Sequence, residues 1–368
     1  MIFEVPREIF LEKLEIALPV IPTRSHFPVL QNIVLDVETD KITFFATDWD
    51  NSVQLELPFP EPKDISPTKL IVRARELAEI LRGVTEPVVS FETEENVLKL
   101  KAGKGEYTFS LLDPKEFPET IPVPEERELE FSFSLLRELY TTTSFAVAKE
   151  TAQQAISGLL WEIREKETRM VATDGRRLAL MKKEGEFGKG RKLQAIIPPK
   201  PFEILQKMGI EKMKVAFNSG SVSFRGEDCH VISRLIEGPY PDYEKVLPAK
   251  YPYCLSCSRT ELINALNRTL IFAPSLTRLV IFNLKKREVF LEASSEIGIS
   301  KEEVKGEYKG EEMEVGVNGI FLTEILKHIK SEEVDLELAS ATQALVIRPK
   351  EETERKEKLF LLMPMRLE

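Results

Sequence analysis

The chain has few of the residues that most often carry metal or redox chemistry. Among 368 residues there are three cysteines and three histidines. Cys229, Cys254 and Cys257 cannot make a disulfide framework. Cys254 and Cys257 form one CxxC. A zinc site needs a second pair, and His26, His230 and His328 are scattered. A redox CxxC belongs at a strand-to-helix turn of a βαβ unit, and no such unit is apparent here. Spare thiols are the better reading, with no metal and no cofactor expected. The sequence also lacks a GxGxxG, a Walker A loop and a zinc signature, which argues against a nucleotide or metalloenzyme. No run approaches the roughly 18 apolar residues that span a bilayer. The N-terminal MIFEVPREIFLEKL has acids where a secretion signal needs bases, so no membrane role and a cytoplasmic location are expected.

What is present describes a globular chain. Apolar residues make up 42% and charged residues 30%, which excludes a disordered polymer. The length calls for two or three domains. A net charge of −10 by itself disfavours a nucleic-acid partner, although a local basic surface can hide inside a negative sum.

The dominant signal is a threefold internal repeat. Pro28 to Leu57, Gln153 to Lys182 and Leu276 to Val304 share one layout: strand, polar turn, strand, then Ala-Thr-Asp or Ala-Ser-Ser, then a further strand. Ala46, Ala172 and Ala293 mark the period, about 120 residues, the size of a small domain. Each repeat opens with a helix-period segment (IFLEKLEIAL, SLLRELYTTTSF, TELINALNRTL). Each has a second one later (RARELAEILRGV, PPKPFEILQKMG, NGIFLTEILKHI). Alternating strands such as VVSFETEENVLKLKAGKGEYTFSLL and VDLELASATQALVI follow. The endings LLDPKEFPETIP, LIEGPYPDYEKVLP and LLMPMRLE correspond as well. Asp113–Pro124 and Gly238–Pro248 therefore read as linkers. The expected fold is α+β in three tandem similar domains, 1–120, 121–248 and 249–368, each with a sheet on one face and two helices on the other.

VATDGRRLAL in the second repeat, YPDYEKVLP at the second linker and the terminal MPMRL, set in three tandem α+β units, form a specific combination. Along its whole length the chain resembles the β subunit of bacterial DNA polymerase III, the replicative sliding clamp. The resemblance implies the DNA clamp fold: a head-to-tail homodimeric ring, with antiparallel sheets outside and helices lining a hole for duplex DNA. It implies a processivity factor, not an enzyme. Its partners would be double-stranded DNA without sequence preference, the polymerase III α subunit, the clamp loader and other proteins with a clamp-binding motif. A three-domain enzyme or a repeat scaffold binding only proteins are the alternatives.

The resemblance also implies sites. Arg24 matches a family DNA-contacting position. Arg73, Arg75, Arg82, Arg137, Lys200, Lys207, Arg268 and Lys327 lie on or beside the proposed inner helices, where cations meet phosphates without reading bases. Read by themselves, these residues are equally well solvated helix faces. Gln153 stands where the family has a second basic contact. The partner-peptide pocket would use Ile156, Thr173, Gly175, Arg176, Arg177, Leu178, Pro241, Lys245, Val246, Asn318 and Phe321. The tail completes it with Leu361, Leu362, Met363, Pro364, Met365, Arg366 and Leu367. Arg177 and Arg366 are expected to donate to peptide carbonyls or a carboxylate. Relatives often carry His at Arg176 and an aromatic at Thr277. On its own the tail reads as a last strand filling the core. Tyr107, Ile271 and Phe272 map to the dimer contact, with a core position for Phe272 as the other reading.

Overall fold

The computed structural model describes residues 2–59, 66–94, 96–118, 121–123, 128–188, 190, 192–247, 250–286 and 288–367. The expected linker residues Glu119, Thr120, Pro124 and Pro248 lie outside these, as do the expected domain limits at 120, 248 and 249. Glu95 and Arg287, within expected strand stretches, also lie outside.

The first repeat runs β1 (Ile2–Pro6), α1 (Arg7–Ala17), β2 (Asn32–Val37), β3 (Lys41–Thr47), β4 (Asn51–Pro58), β5 (Thr68–Arg73), α2 (Ala74–Gly83), β6 (Val88–Glu94), β7 (Val97–Ala102) and β8 (Gly105–Ser110). The second is β9 (Leu129–Ser132), α3 (Phe133–Thr143), β10 (Leu159–Ile163), β11 (Glu167–Thr173), β12 (Arg177–Glu184), β13 (Leu193–Ile197), α4 (Pro199–Leu205), β14 (Lys212–Phe217), β15 (Ser221–Arg225) and β16 (Cys229–Arg234). The third keeps this order as β17 (Tyr253–Ser258), α5 (Arg259–Thr269), β18 (Leu279–Leu284), β19 (Val289–Ser295), β20 (Gly298–Glu303), β21 (Gly306–Lys309), β22 (Met313–Asn318), α6 (Gly319–Lys327), β23 (Glu333–Leu338), β24 (Leu345–Pro349), α7 (Glu352–Glu357) and β25 (Lys358–Leu362). Among the described residues, strand β21 and helix α7 occur only in the third repeat.

Helices form where apolar residues recur at helical spacing. Helix α1 buries Phe10, Leu14 and Ala17, and α2 buries Ala74, Leu77, Ala78 and Leu81. Ser258 caps α5 by accepting from the Glu261 amide at 3.4 Å, and Asn318 caps α6 through the Ile320 and Phe321 amides at 3.1 Å each. Helix α7 has no apolar face to announce it. Glu351 caps it, and Glu354 and Lys358 form a buried pair at 2.7 Å.

The chain forms two compact units, 1–137 with 197–235, and 138–196 with 236–368. The first unit holds an eight-stranded sheet, β5-β2-β3-β4-β16-β15-β14-β9, and a four-stranded sheet, β1-β6-β7-β8. The second holds a nine-stranded sheet, β13-β10-β11-β12-β25-β24-β23-β17-β21, and a four-stranded sheet, β20-β19-β18-β22. Successive repeats therefore share sheets: β4 pairs with β16 from Asn51↔Ser233 to Leu55↔Cys229, and β12 with β25 from Arg177↔Leu362 to Met181↔Lys358. This differs from one sheet per repeat. Each repeat supplies two half-sheets, and those of the second repeat go to different units. The described parts of the linkers are anchored too. Phe117 meets Phe45 edge to face at 5.7 Å, and Tyr243 is buried in an apolar cluster with Val171, Leu180 and Leu361.

Cys254 and Cys257 both lie on β17, three positions apart, so their side chains point to opposite faces of the strand. Burial pushes the Cys257 thiol up to about 12. All three cysteines are free.

Candidate functional site

The ATDGR segment joins β11 to β12 by a tight turn that its own side chains determine. Asp174 Oδ1 accepts from the Arg176 and Arg177 amides at 2.9 and 3.0 Å. The Thr173 hydroxyl donates to the Arg177 carbonyl at 2.7 Å and accepts from the Gly175 amide at 3.1 Å. Gly175 has φ +82°, the left-handed conformation that glycine adopts without a Cβ penalty. Beside this turn ends β25, the last strand. Leu361 and Leu362 alternate on it: Leu362 is fully buried opposite Arg177 and Leu345, while Leu361 packs on the other face with Leu178 and Val346.

Two adjoining cavities flank the tail. The first, about 240 Å³, is lined by Gln153, Ile156, Thr173, Gly175, Arg177, Leu178, Pro241, Asp242, Tyr243, Val246, Leu361 and Met363. The second, about 480 Å³, is lined by Arg176, Leu276, Thr277, Asn318, Phe321, Met363, Pro364 and Met365. Met363 belongs to both. The Met363 amide donates to the Arg176 carbonyl at 2.8 Å, and the Met365 amide to the Gly316 carbonyl at 2.7 Å. Gly316 permits that approach, since a Cβ there would come within 2.8 Å of the Leu367 side chain. The tail is thus pinned by backbone bonds while its thioethers stay at the surface. Leu, Ile, Val and Met surfaces with few polar groups suit the apolar side chains of an extended peptide. Flexible thioethers let one site accept several sequences.

Arg177 does not stand as the free donor expected of it. It is buried, and its guanidinium serves Asp174 at 3.1 Å, the Phe145 carbonyl at 2.9 Å and Glu324. It also lies 4.3 Å from the Phe321 ring centre and 5.2 Å from that of Phe145. The reason is desolvation: a buried guanidinium must spend its N–H groups on fixed acceptors. Arg177 is a strut between turn, helix α6 and the Phe145 segment. Lys245 and Arg366 are exposed and Leu362 faces the core; with Leu367, these line neither cavity. Lys245 pairs with Asp242 at 2.9 Å.

Gln153, Asp242, Tyr243 and Leu276 were not anticipated as lining residues. Tyr243 had a readable signal, an aromatic in a polar linker. Its hydroxyl donates to Glu162 at 2.7 Å and accepts from Arg169 at 3.4 Å, and burial raises it to about 12. Leu276, 93% exposed, gave no signal.

The candidate DNA-facing cations divide into two groups. Arg24, Arg73 and Lys327 are exposed, Arg73 bonding Gln31. Lys207 reaches the Glu15 carbonyl at 3.2 Å, and Arg137 is also engaged. The others are partly spent. Arg75 gives its guanidinium to the Ile21 carbonyl at 2.6 Å, Arg82 pairs with Glu15 at 2.7 Å and Lys200 with Asp48 at 3.4 Å. Arg268 forks onto Glu302 at 2.9 and 2.7 Å, so it presents a neutralised pair. At the candidate dimer contact, Ile271 is 64% exposed, and Ile297 and Ile299 are exposed as well. The half-buried Phe272 ring lies against Gly298, and Tyr107 is half-buried on edge strand β8.

The order of half-sheets and the tail pocket define a three-domain clamp subunit. The N-terminal, central and C-terminal domain descriptions of the DNA polymerase III beta subunit match residues 1–122, 130–242 and 244–366. The chain belongs to the DNA polymerase III beta subunit family, whose members are processivity factors, not enzymes. It is 28% identical to the beta sliding clamp of Pseudomonas aeruginosa over the full length of both chains. It is 29% identical to that of Staphylococcus aureus, over 95% of this chain and 96% of the other. A crystal structure of the Pseudomonas aeruginosa beta subunit superposes with a TM-score of 0.93 at 27% identity, covering 100% of both chains. The Thermotoga maritima beta subunit shares the fold at a TM-score of 0.92, 24% identity and complete coverage of both. Among the described residues no helix is long and apolar enough to cross a membrane.

Proposed function

We propose that two copies of this chain close head to tail into a ring around duplex DNA, and that the ring tethers polymerase and other replication proteins by peptides held at the tail pocket. The observation that carries the ring is the pattern of sheet edges. Repeat one offers β4 to β16 of repeat two; repeat two offers β12 to β25 of repeat three. By the same rule repeat three offers β20 and repeat one offers β8, and both are sheet edges within the chain. Open edges of this kind call for a partner.

The repeat supplies the register. Ala46↔Val53, Ala172↔Ala179 and Ala293↔Ser300 are equivalent hairpin pairs. Counting outward from Phe3, Leu129 and Leu255, each at the same distance before a first helix, makes Tyr107, Val231 and Phe360 equivalent. Val231 faces Val53, and Phe360 faces Ala179. Tyr107 of one copy would therefore face Ser300 of the other, with Thr108 opposite Ile299, Phe109 opposite Gly298 and Glu106 opposite Lys301. Ile271, Phe272 and Ile299 would be the apolar centre of that contact.

The domain limits remain those of the repeat, 1–120, 121–248 and 249–368. Arg24, Arg73, Arg137, Lys207 and Lys327 are the cations we assign to the duplex, with loose, salt-dependent phosphate contacts and retention by enclosure. Ile156, Leu178, Val246, Leu361, Met363 and Met365 are assigned to the peptide. The ring would work in the cytoplasm, where the chromosome is. The test is topological: the protein should stay on nicked circular DNA at a salt concentration that strips a basic non-encircling protein, and leave when the circle is cut. Release from the intact circle at the same salt would reduce the binding to simple electrostatics.

A further inference from the structure

The turn between β3 and β4 is the first repeat's copy of the ATDGR turn. Asp48 Oδ1 accepts from the Asp50 and Asn51 amides at 3.1 and 2.7 Å, and the Thr47 hydroxyl donates to the Asn51 carbonyl at 2.9 Å. Where repeat two has Gly175 at φ +82°, repeat one has Trp49 at φ +76°. A bulky residue in the left-handed region is strained, and glycine satisfies the same turn without strain. Trp49 gains little packing in return. It is 45% exposed and touches Phe27, itself 58% exposed, edge to face at a ring separation of 6.1 Å. Phe27 precedes the short helical turn Pro28–Gln31 as Gln153 precedes Gln154–Ser157, so both aromatics replace small or polar residues of the pocket rim.

One cation touches the pair and two others lie near it along the chain or through Gln31. The Arg234 guanidinium donates to the Trp49 carbonyl at 3.1 Å, and its side chain is 59% exposed. Arg24, three residues before Phe27, is exposed. Arg73 bonds Gln31, which donates to the Thr23 carbonyl at 2.9 Å. The acids of the turn are partly engaged: Asp48 by its own turn and Lys200, and Asp50 by Arg234 at 3.9 Å.

We propose that Phe27 and Trp49, with Arg234, form a stacking platform for one unpaired DNA strand. Every base has a π-face that an exposed indole can cover, and guanidinium groups meet the phosphates between stacked bases. A duplex hides those faces, so the platform selects single-stranded DNA. The inference rests on the clamp reading and deepens it, giving the ring a contact with the unpaired strand next to the duplex it encircles.

Trp49 reports its own occupancy, because the second tryptophan, Trp161, is buried and bonded to Thr168 at 2.7 Å. Titrating the intact dimer with oligo(dT) should quench tryptophan emission. Trp49→Gly folds into a turn that already accepts glycine. It should bind labelled oligo(dT) roughly tenfold more weakly, with unchanged dimer mass and retention on nicked circular duplex. Phe27→Ser should weaken binding while keeping the tryptophan. Absence of quenching, wild-type oligo affinity in Trp49→Gly, or equal quenching by a duplex would each overturn the platform. So would quenching by an apolar polymerase peptide in place of the oligonucleotide. Loss of the wild-type protein from circular duplex would instead sink the ring reading.

Discussion

Glu106 and Lys301 offer the sharpest test of the ring. Within one chain they are far apart in sequence, on β8 and β20; the repeat register sets them opposite each other only across two copies. Lys301 is already poised, its ammonium 2.8 Å from Glu292 and 4.5 Å from the Phe290 ring centre. A directly opposed cross-strand charge pair contributes about 0.5 kcal/mol, and like charges cost a similar amount. Glu106→Lys should therefore cost about 1 kcal/mol per contact. A closed dimer has two contacts, giving about 2 kcal/mol, or roughly a thirtyfold rise in the dimer dissociation constant. Lys301→Glu should do the same. The double swap should regain most of the loss, because it restores opposite charges in the same register. Sedimentation equilibrium over a concentration series reads all four proteins. Single reversals that leave the dimer unchanged, or a double swap no better than either single, would refute the register even if the dimer itself stood.

Truncation after Leu362 keeps β25 but removes Met363, the wall common to both cavities. Peptide affinity should fall at least roughly a hundredfold by fluorescence anisotropy, with dimer mass intact; undiminished affinity would move the docking site elsewhere. Glu354→Ala strands the buried Lys358 ammonium and leaves the Lys330 and Ser331 amides without their acceptor. A loss of about 3 kcal/mol in denaturant unfolding is expected, and a loss below about 1 kcal/mol would mean the site relaxes to admit water. His230 is held near 4, down from 6.5, by burial and then by the Arg225 charge. The unfolded chain takes up this proton near 6.5 and the folded chain only near 4, so its contribution is whole above 6.5 and is lost as pH falls towards 4. His230→Gln should flatten the stability profile in that window by about 3 kcal/mol; an unchanged slope would assign the acid sensitivity to other groups.

Much of this organisation was legible because it is written three times. The Ala46, Ala172 and Ala293 motifs lie on matching hairpins, and the six helix-period segments are α1 to α6. Strands β1, β9 and β17 escaped notice because four to six residues of alternation are too short to stand out beside a helix. Helix α7 escaped because its stability comes from a cap and a buried ion pair, which leave no periodic trace. The sharing of sheets between repeats could not be read at all: hydrogen bonds between β4 and β16 join residues far apart in sequence and depend on the backbone, which every residue has. The same limit applies to Arg177. Its sequence position marks the pocket, but only the placement of Asp174, Glu324 and Phe145 turns a candidate donor into a strut.

The shared sheets have a mechanical consequence. Neighbouring repeats are welded by backbone ladders, so a protease nick in either connecting peptide should leave the pieces clasped. The second repeat, cut out alone, would lose the partners of β12 and β16 together and expose two raw edges, a species built to aggregate. Force applied to the protein should be borne by strand pairs pulled sideways, the most resistant way to load a sheet. In a closed pair of chains, any seam meant to open and reseal is then left to the two equivalent junctions that no covalent chain spans.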